Sequence, residues 1–227
     1  MNIKTTTWLA VALLQIGMAG NALAVAIYTD RTLFEAALAS SSVEDFESES
    51  SFGNPDASPL FPDGLTDWTG TDFSLNATPQ AIKILDYDYP VSSPEVVNTT
   101  SGGANYLYLD TDKGLVGSET VFSLYNPADA FGFNYTGVFE PDTTFTVQIG
   151  SDTFNPVLNN PEASPLFWGV LGLGSFTDIT LTTSTDSGYG VDDVIFGSAV
   201  PLPPAIWLFG SGLLALAGSA TKRKSRG

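Results

Sequence analysis

Residues 130–135 read Ala-Phe-Gly-Phe-Asn-Tyr, and this stretch decides the predicted fold. Its aromatic side chains, Phe131, Phe133 and Tyr135, occupy every second position. Successive side chains of a β-strand point to opposite faces, so this spacing predicts a strand with one face in the core. Further short apolar segments lie between turn residues, at 43–46, 81–85, 106–109, 120–124, 144–149, 167–171, 178–182 and 192–196.

These segments predict an all-β fold, an antiparallel jelly-roll-like β-sandwich, which we favour over a barrel. Between residues 40 and 200 no amphipathic stretch has the length of a helix, so the crossover helices of a parallel sheet are missing. One short N-terminal helix is predicted at 33–39, where Thr32 and Glu35 have the spacing of a capping box. Its apolar face would contain Leu33, Phe34, Ala37 and Leu38. Residues 54–78 are predicted to form a long loop or an irregular edge over the sheet, because Gly, Pro, Asp and Thr are frequent there.

Charge is distributed in blocks along the 227 residues. Five of the eight basic residues lie near the two ends, which leaves Arg31, Lys83 and Lys113 among all 25 acidic residues. So acidic a domain repels phosphate backbones, and nucleic-acid binding is excluded. The chain has no histidine and no cysteine. This excludes Ser-His-Asp and Cys-His catalysis and the usual zinc and copper ligands.

The N-terminus has the layout of a secretory signal peptide. Lys4 gives a positive start, residues 8–18 are mostly apolar, and Ala22-Leu23-Ala24 is a small-x-small cleavage signal. About eleven apolar residues are too few to cross roughly 30 Å of hydrocarbon. We therefore expect residues 1–24 to be a signal peptide for the Sec export machinery, with Ala24-Val25-Ala26 as an alternative cleavage site.

The C-terminus has the layout of a short membrane segment with a cytoplasmic end. Residues 205–220 are apolar and follow a proline motif, and at about 1.5 Å per residue they form a helix of about 24 Å, which is short for a permanent anchor. A basic cluster then closes the chain, as on the cytoplasmic side of a membrane. The motif consists of Val200, Pro201, Leu202, Pro203 and Pro204, and the basic end of Lys222, Arg223, Lys224 and Arg226.

Residues 200–227 resemble the PEP-CTERM sorting domain. The proline motif, the wording Trp-Leu-Phe-Gly-Ser-Gly-Leu-Leu at 207–214 and the basic end occur in that order. The family's Pro-Glu-Pro is Pro201-Leu202-Pro203 in this chain, which leaves the exosortase subtype open. The resemblance implies transient anchoring in the inner membrane of a Gram-negative bacterium that makes extracellular polysaccharide, followed by removal of the tail by an exosortase. A plain C-terminal anchor is the alternative.

Two short motifs of the body resemble the opening and closing strands of MAM and related carbohydrate-binding jelly rolls. They are Val43-Glu44-Asp45-Phe46-Glu47 and the Asp-Asp segment at 190–197. In those families the first and last strands pair and can hold a structural calcium ion, which takes six to eight oxygen ligands. Carried over, the calcium ligands would be Asp45, Glu47, Asp192 and Asp193. Otherwise these carboxylates face water.

The sequence thus predicts a signal peptide at 1–24, a secreted β-sandwich at 25–199 and a sorting tail at 200–227. We expect a non-catalytic structural or interaction protein of the cell surface or extracellular matrix, as in a biofilm. One alternative is a carbohydrate-binding module for exopolysaccharide, with aromatic faces from Trp68, Tyr87, Tyr89, Tyr106, Tyr108, Trp168 and Tyr189. A second alternative is a glycoside hydrolase, because that chemistry needs only two carboxylates.

Overall fold

The computed structural model describes residues 25–49, 65–78, 81–86, 103–110, 119–136, 143–157, 165–184 and 189–200. Within these ranges no helix combines the length and apolarity of a membrane crossing. The predicted signal peptide at 1–24 and the predicted membrane helix at 205–220 lie outside them. The described strands belong to one compact unit, Ala24–Ala199.

The structure is almost entirely antiparallel β-sheet, which confirms the predicted all-β class. Over the residues that the structure describes, one short helix accompanies eleven strands. In chain order the elements are β1 (Ala26–Tyr28), α1 (Arg31–Ala36), β2 (Leu38–Glu44), β3 (Asp67–Thr69), β4 (Phe73–Thr78), β5 (Ala81–Leu85), β6 (Tyr106–Asp110), β7 (Glu119–Thr136), β8 (Phe145–Ile149), β9 (Asp152–Phe154), β10 (Leu166–Thr183) and β11 (Tyr189–Ala199).

Two long strands, β7 and β10, form the middle of the sheet. The hydrogen-bonded order is β5-β6-β11-β7-β10-β8-β9, and β1, β2 and β4 pair with β10, β11 and β7. β3 forms a hairpin partner of β4. The rings of Phe145 in β8 and Tyr189 in β11 meet at 5.2 Å, although these strands are not neighbours in the sheet. The sheet therefore curves over a shared core, as in a β-sandwich.

The continuity of β7 and β10 corrects the sequence-based strand list. Segments 120–124 and 130–135 are one strand, and so are segments 167–171 and 178–182. The intervening Gly and Pro residues were read as strand breaks, but the β7–β10 pairing shifts register there and continues. Gly172 and Gly174 have φ values of 89° and 83°, which mark irregularities within a strand.

The segment 54–78, predicted as a long loop or an irregular edge over the sheet, contains two regular strands where the structure describes it. Residues 67–78 contain β3 and β4, and Trp68, Phe73 and Leu75 are buried. The alternation of Phe73, Leu75 and Ala77 is a strand pattern that the turn-forming residues before it obscured. Residues 54–64 lie outside the described part of the chain.

An aromatic chain fills the core. Neighbouring rings have centroid separations from 5.5 to 5.8 Å, and such pairs add about 0.5–1.5 kcal/mol each beyond the burial of area. The chain runs through Phe46, Trp68, Phe73, Phe122, Phe131, Phe133, Trp168 and Phe154. The predicted core positions Phe131, Phe133 and Tyr135 are all buried.

Helix α1 differs from its prediction in both bounds and face. Its N-cap is Asp30, whose carboxylate accepts a hydrogen bond from the Leu33 N–H at 3.0 Å, and not Thr32. Asp is at least as good an N-cap as Thr, so the helix begins two residues earlier. It ends at Ala36, and Leu38 already belongs to β2. Phe34 is buried, whereas Leu33 is 62% exposed, so the predicted apolar face does not form.

Candidate functional site: an aromatic groove and a buried acidic pair

The two terminal segments that were predicted to meet do so. β2 pairs with β11 in antiparallel register, with Glu44 opposite Val194. Asp45 and Glu47 directly follow β2, and Asp192 and Asp193 precede Val194 in β11. The predicted pairing of the opening and closing segments is therefore confirmed.

Asp45 and Glu47 are used in local backbone contacts. The Asp45 carboxylate accepts a hydrogen bond from the Glu47 N–H at 3.2 Å, and Glu47 Oε1 accepts one from the Asn105 N–H at 2.8 Å. Asn105 Nδ2 in turn donates to the Phe46 carbonyl at 3.1 Å. These two carboxylates therefore help to fix the turn after β2 to the residues that precede β6.

Asp192 and Asp193 are buried at an irregularity of β11. The β11–β7 register shifts between Asp192 and Ile195, and Asp193 has a φ of 46°. A bulge of this kind redirects side chains. Asp192 Oδ1 accepts a hydrogen bond from the Asp193 N–H at 2.7 Å. Asp193 Oδ2 accepts one from buried Asn134 at 3.0 Å.

Arg31 neutralises Asp193, which the sequence did not indicate. Its Nη1 lies 2.5 Å from Asp193 Oδ2, and its Nε lies 2.7 Å from Glu35 Oε1. Burial lowers the pKa of Arg31, but the hydrogen bonds to Glu35 and Asp193 outweigh that effect and raise it. The only indication of this role in the sequence is that Arg31 is one of few basic residues in an acidic body.

The predicted calcium ligands Asp45, Glu47, Asp192 and Asp193 thus have protein partners. Over the described ranges, no three acidic, histidine or cysteine side chains form a group that could hold a metal ion. Calcium binding stays a prediction. Of the sorting residues, Val200 is the last described residue and is 46% exposed. Pro201, Leu202, Pro203, Pro204 and the basic end at 222–226 lie outside the described part.

Glu44, at the end of β2, has a perturbed carboxyl group. Burial raises its pKa, a hydrogen bond from the Phe46 N–H at 2.9 Å opposes the rise, and the charges of Glu49, Asp45 and Asp72 add to it. The turn after β2 therefore concentrates negative charge around a half-buried carboxyl group.

A groove of about 420 Å³ lies beside the start of β10. Small-molecule sites commonly have about 300–1,000 Å³. Four separate parts of the chain form it: the end of β1, Tyr135 of β7, the end of β9 with the residues after it, and the first residues of β10. The lining residues are Ile27, Thr29, Tyr135, Thr153, Phe154, Asn155, Pro156, Val157, Leu166, Phe167 and Trp168.

Hydrogen bonds fix the polar groups of this groove. Tyr135 donates its hydroxyl to the Val157 carbonyl at 2.8 Å, and burial raises the pKa of Tyr135 to about 12. Asn155 Nδ2 lies 3.4 Å from the Phe145 carbonyl and 3.3 Å from Thr146 Oγ1. These hydrogen bonds orient the neutral phenol of Tyr135 and the amide of Asn155 in the groove.

Most of the aromatic side chains proposed for sugar stacking are core residues. Trp68, Tyr106, Tyr108, Trp168 and Tyr189 are all buried, and Tyr87 and Tyr89 lie outside the described part. The five described residues of this set do not form an exposed aromatic row. Trp168, 3% exposed, contributes an edge to the groove. The sequence pattern missed the groove because its walls come from segments far apart in the chain.

No known family model and no curated protein matches this chain. Solved structures give weak similarities. The K2 cleaved adhesin domain of Lys-gingipain is 14% identical with a TM-score of 0.40, over 69% of this chain and 97% of that domain. The family 11 carbohydrate-binding module from Clostridium thermocellum, in complex with a β-1,3-1,4-mixed-linked tetrasaccharide, is 10% identical with a TM-score of 0.30, over 67% and 98%. The catalytic domain of a GH87 α-1,3-glucanase is 19% identical with a TM-score of 0.31, and this chain spans 30% of it.

Proposed function

We propose that this chain is an exported, non-catalytic surface or matrix protein whose residues 200–227 are removed by an exosortase. In this proposal the body is a jelly-roll-like sandwich and residues 205–220 form a short membrane helix. The precursor is held in the inner membrane of a Gram-negative bacterium and the mature protein reaches the cell surface or the exterior. The observation that supports it best is the position at which the last strand ends.

β11 ends at Ala199, directly before the Val-Pro-Leu-Pro-Pro motif. The Ala199 N–H donates to Asp129 Oδ1 at 2.6 Å, and the Ser198 and Ser40 hydroxyls lie 2.8 Å apart. The strand is therefore fixed up to its final residue. A cut among residues 201–204 would leave every described strand and these contacts intact, as a removable tail requires.

The chemistry of the body supports a non-catalytic role. The chain has neither histidine nor cysteine, and the glycoside hydrolase alternative would depend on a pair of carboxylates. The buried carboxylate of Asp193 is occupied by Arg31 and Asn134, and that of Asp192 by a backbone N–H. Asp193 thereby joins β11 to α1 and β7, and Asp192 supports the local backbone of β11.

Carbohydrate binding is a second candidate function, and one observation favours it. The groove beside β10 has the volume and the mixed aromatic and polar lining of a small-ligand site. Such a domain would attach the exported protein to exopolysaccharide, its expected partner.

Processing can be tested with the full chain expressed in an exosortase-containing host and in a strain that lacks the exosortase. We expect mass spectrometry to find surface protein that ends near 201–204 in the first strain and full-length protein in the membrane fraction of the second. Surface protein that still carries residues 207–227 would show that the tail is a plain anchor.

Two variants test the basic end, one that removes its charge and one that keeps it. Replacement of Lys222, Arg223, Lys224 and Arg226 by Gln should weaken membrane retention, because cytoplasmic Lys and Arg fix the orientation of a membrane segment. The control exchanges each Lys for Arg and each Arg for Lys, which keeps the charge. Equal sorting of both variants would contradict the role of charge.

Calcium binding at Asp45, Glu47, Asp192 and Asp193 is a separate proposal. The unfolded chain would not hold the ion, so free calcium at a hundred times the dissociation constant would stabilise the fold by about 2.7 kcal/mol. Melting of the full chain should then shift upward with calcium and downward with a chelator, and Asp192→Asn should reduce the shift. Identical melting curves would mean that no calcium site contributes.

A further inference from the structure

We propose that the groove beside the start of β10 binds one sugar unit of an uncharged glycan. This inference rests on the second candidate function and assigns it a site and a ligand class. The groove lies outside the Arg31–Asp193 pair and outside the sorting motif, so neither of those features uses its lining residues.

The charge of the lining residues indicates an uncharged ligand. All eleven are neutral, whereas the chain carries 25 acidic residues and a formal net charge of −17. Tyr135 stays a neutral phenol because its pKa is about 12. An anionic polysaccharide would meet no cation in the groove and repulsion from the body around it. A cationic ligand would meet no carboxylate in the groove.

The apolar part of the lining suits the carbon face of a sugar ring. Val157 and Ile27 lie on the rim and are 65% and 56% exposed, which makes them two of the most exposed large apolar side chains in the described ranges. The ring centroids of Phe154 and Trp168 lie 5.5 Å apart, and both residues line the groove. A ligand that covers the rim would remove apolar surface from water.

The polar part of the lining suits the hydroxyl groups of the same ring. Asn155 contacts Phe145 and Thr146 through its Nδ2, and its Oδ1 can accept a hydrogen bond from a ligand hydroxyl. Thr29 and Thr153 add hydroxyl groups that can donate or accept. An aromatic and apolar wall beside a few fixed polar groups is the usual composition of a small-ligand site. A purely apolar peptide would leave these polar groups without partners.

The test uses the full chain in a zwitterionic detergent without a sugar headgroup. The probes are neutral hexasaccharides of glucose, mannose and galactose, with a hexauronate as the anionic counterpart. Binding is followed by the change in tryptophan fluorescence, because Trp168 lines the groove, and by isothermal titration calorimetry. We expect at least one neutral hexasaccharide to bind and the hexauronate not to bind.

Three variants locate the site. Val157→Asp adds a charge at the rim, and Asn155→Leu removes the amide; each should weaken binding at least about tenfold. Leu33→Asp is the matched control, because it adds the same charge at a side chain on α1 that is 62% exposed and does not line the groove. We expect this control to bind like the parent chain, and the three melting temperatures establish that all are folded.

Two results would overturn the proposal. One is that no neutral hexasaccharide binds, or that the hexauronate binds more tightly than the neutral sugars. The other is that Val157→Asp and Asn155→Leu bind like the Leu33→Asp control, which would place the site elsewhere. The processing assay reports on residues 200–227 alone, so failure of the sorting proposal would be seen separately.

Discussion

Gly132 of β7 and Gly169 of β10 lie directly opposite each other, and the ring of Phe34 occupies the space above both. A methyl group added at Gly169 would lie 2.9 Å from Phe34 Cδ2, and one added at Gly132 would lie 3.0 Å from Phe34 Cε1. The Tyr28 ring contacts Phe34 edge-on at 5.6 Å. α1 therefore packs against the sheet through Phe34, whose ring lies over this pair of glycines.

Gly169→Ala should destabilise the protein by about 1–3 kcal/mol, the usual range for overpacking. The added methyl group would push against a buried ring and against Phe167 Cε1 at 3.1 Å, and neither can move freely. Urea unfolding measures the loss. The control is Ser175→Ala, at an exposed position of β10, which should change the free energy of unfolding by less than about 0.5 kcal/mol. Gly150→Ala would not serve as a control, because Gly150 has a φ of 60° and an alanine there would be strained.

Phe34→Ala should cost about 3–5 kcal/mol, because it removes a fully buried ring and leaves a cavity over two glycines. Leu33→Ala is the neighbouring control, since that side chain is mostly exposed. The double variant Phe34→Ala with Gly169→Ala should cost less than the sum of the single costs, because the new methyl group partly fills the cavity. Strict additivity would show that the ring and the glycine do not contact each other in solution.

Arg31→Met should destabilise the fold by about 1–3 kcal/mol, because it leaves the buried Asp193 carboxylate without its charged partner. Asp193→Asn tolerates the positive φ, and combining it with Arg31→Met should restore part of the loss. Glu35→Gln removes only the exposed pair within α1 and should cost about 0.3–0.5 kcal/mol. Chemical unfolding of all four variants gives the comparison, and equal losses for Arg31→Met and Glu35→Gln would contradict a special role for Asp193.

Glu44→Gln should change how stability depends on pH. The pKa of Glu44 is raised in the folded state, so the folded state holds this proton more tightly than the unfolded chain. The associated stability is full below the unfolded pKa and is lost as pH rises through the folded pKa. Gln keeps an acceptor for the Phe46 N–H and carries no charge. The variant should therefore match the parent at about pH 4 and exceed it at about pH 7.

Glu119→Gln, at the exposed start of β7, is the control for this experiment. It should leave the difference between the two pH values unchanged. Urea unfolding at both pH values provides the measurement. If Glu44→Gln lost stability at neutral pH relative to the parent, burial would not be the cause of the shift.

Local pattern predicted the strand class and the core, and it failed where distant segments decide the structure. The alternation of Phe131, Phe133 and Tyr135 is complete within a few residues, so it could be read directly. Arg31 and Asp193 are 162 residues apart, and no local pattern joins them. Asp30 and Thr32 are both good N-cap residues for α1, so the local sequence does not settle where the helix begins. The start at Asp30 places Phe34 over Gly132 and Gly169 of the sheet.

The groove could not be predicted from a local sequence pattern either. Ile27, Tyr135 and Trp168 meet only because β1 and β7 both pair with β10. Each of these residues has an ordinary strand pattern around it, and none carries a motif. The candidate calcium residues were found by motif and do lie near the paired strands, but the partner of Asp193 was hidden in the helix.

Strand β11 has paired neighbours on both of its edges, with β7 on one side and β2 and β6 on the other. If the chain is pulled at Ala199, the load enters this strand lengthwise. The force is then shared between two hydrogen-bond ladders that must shear together, instead of opening one bond at a time. Both neighbours of β11 in the sheet thus resist a pull on its C-terminal end.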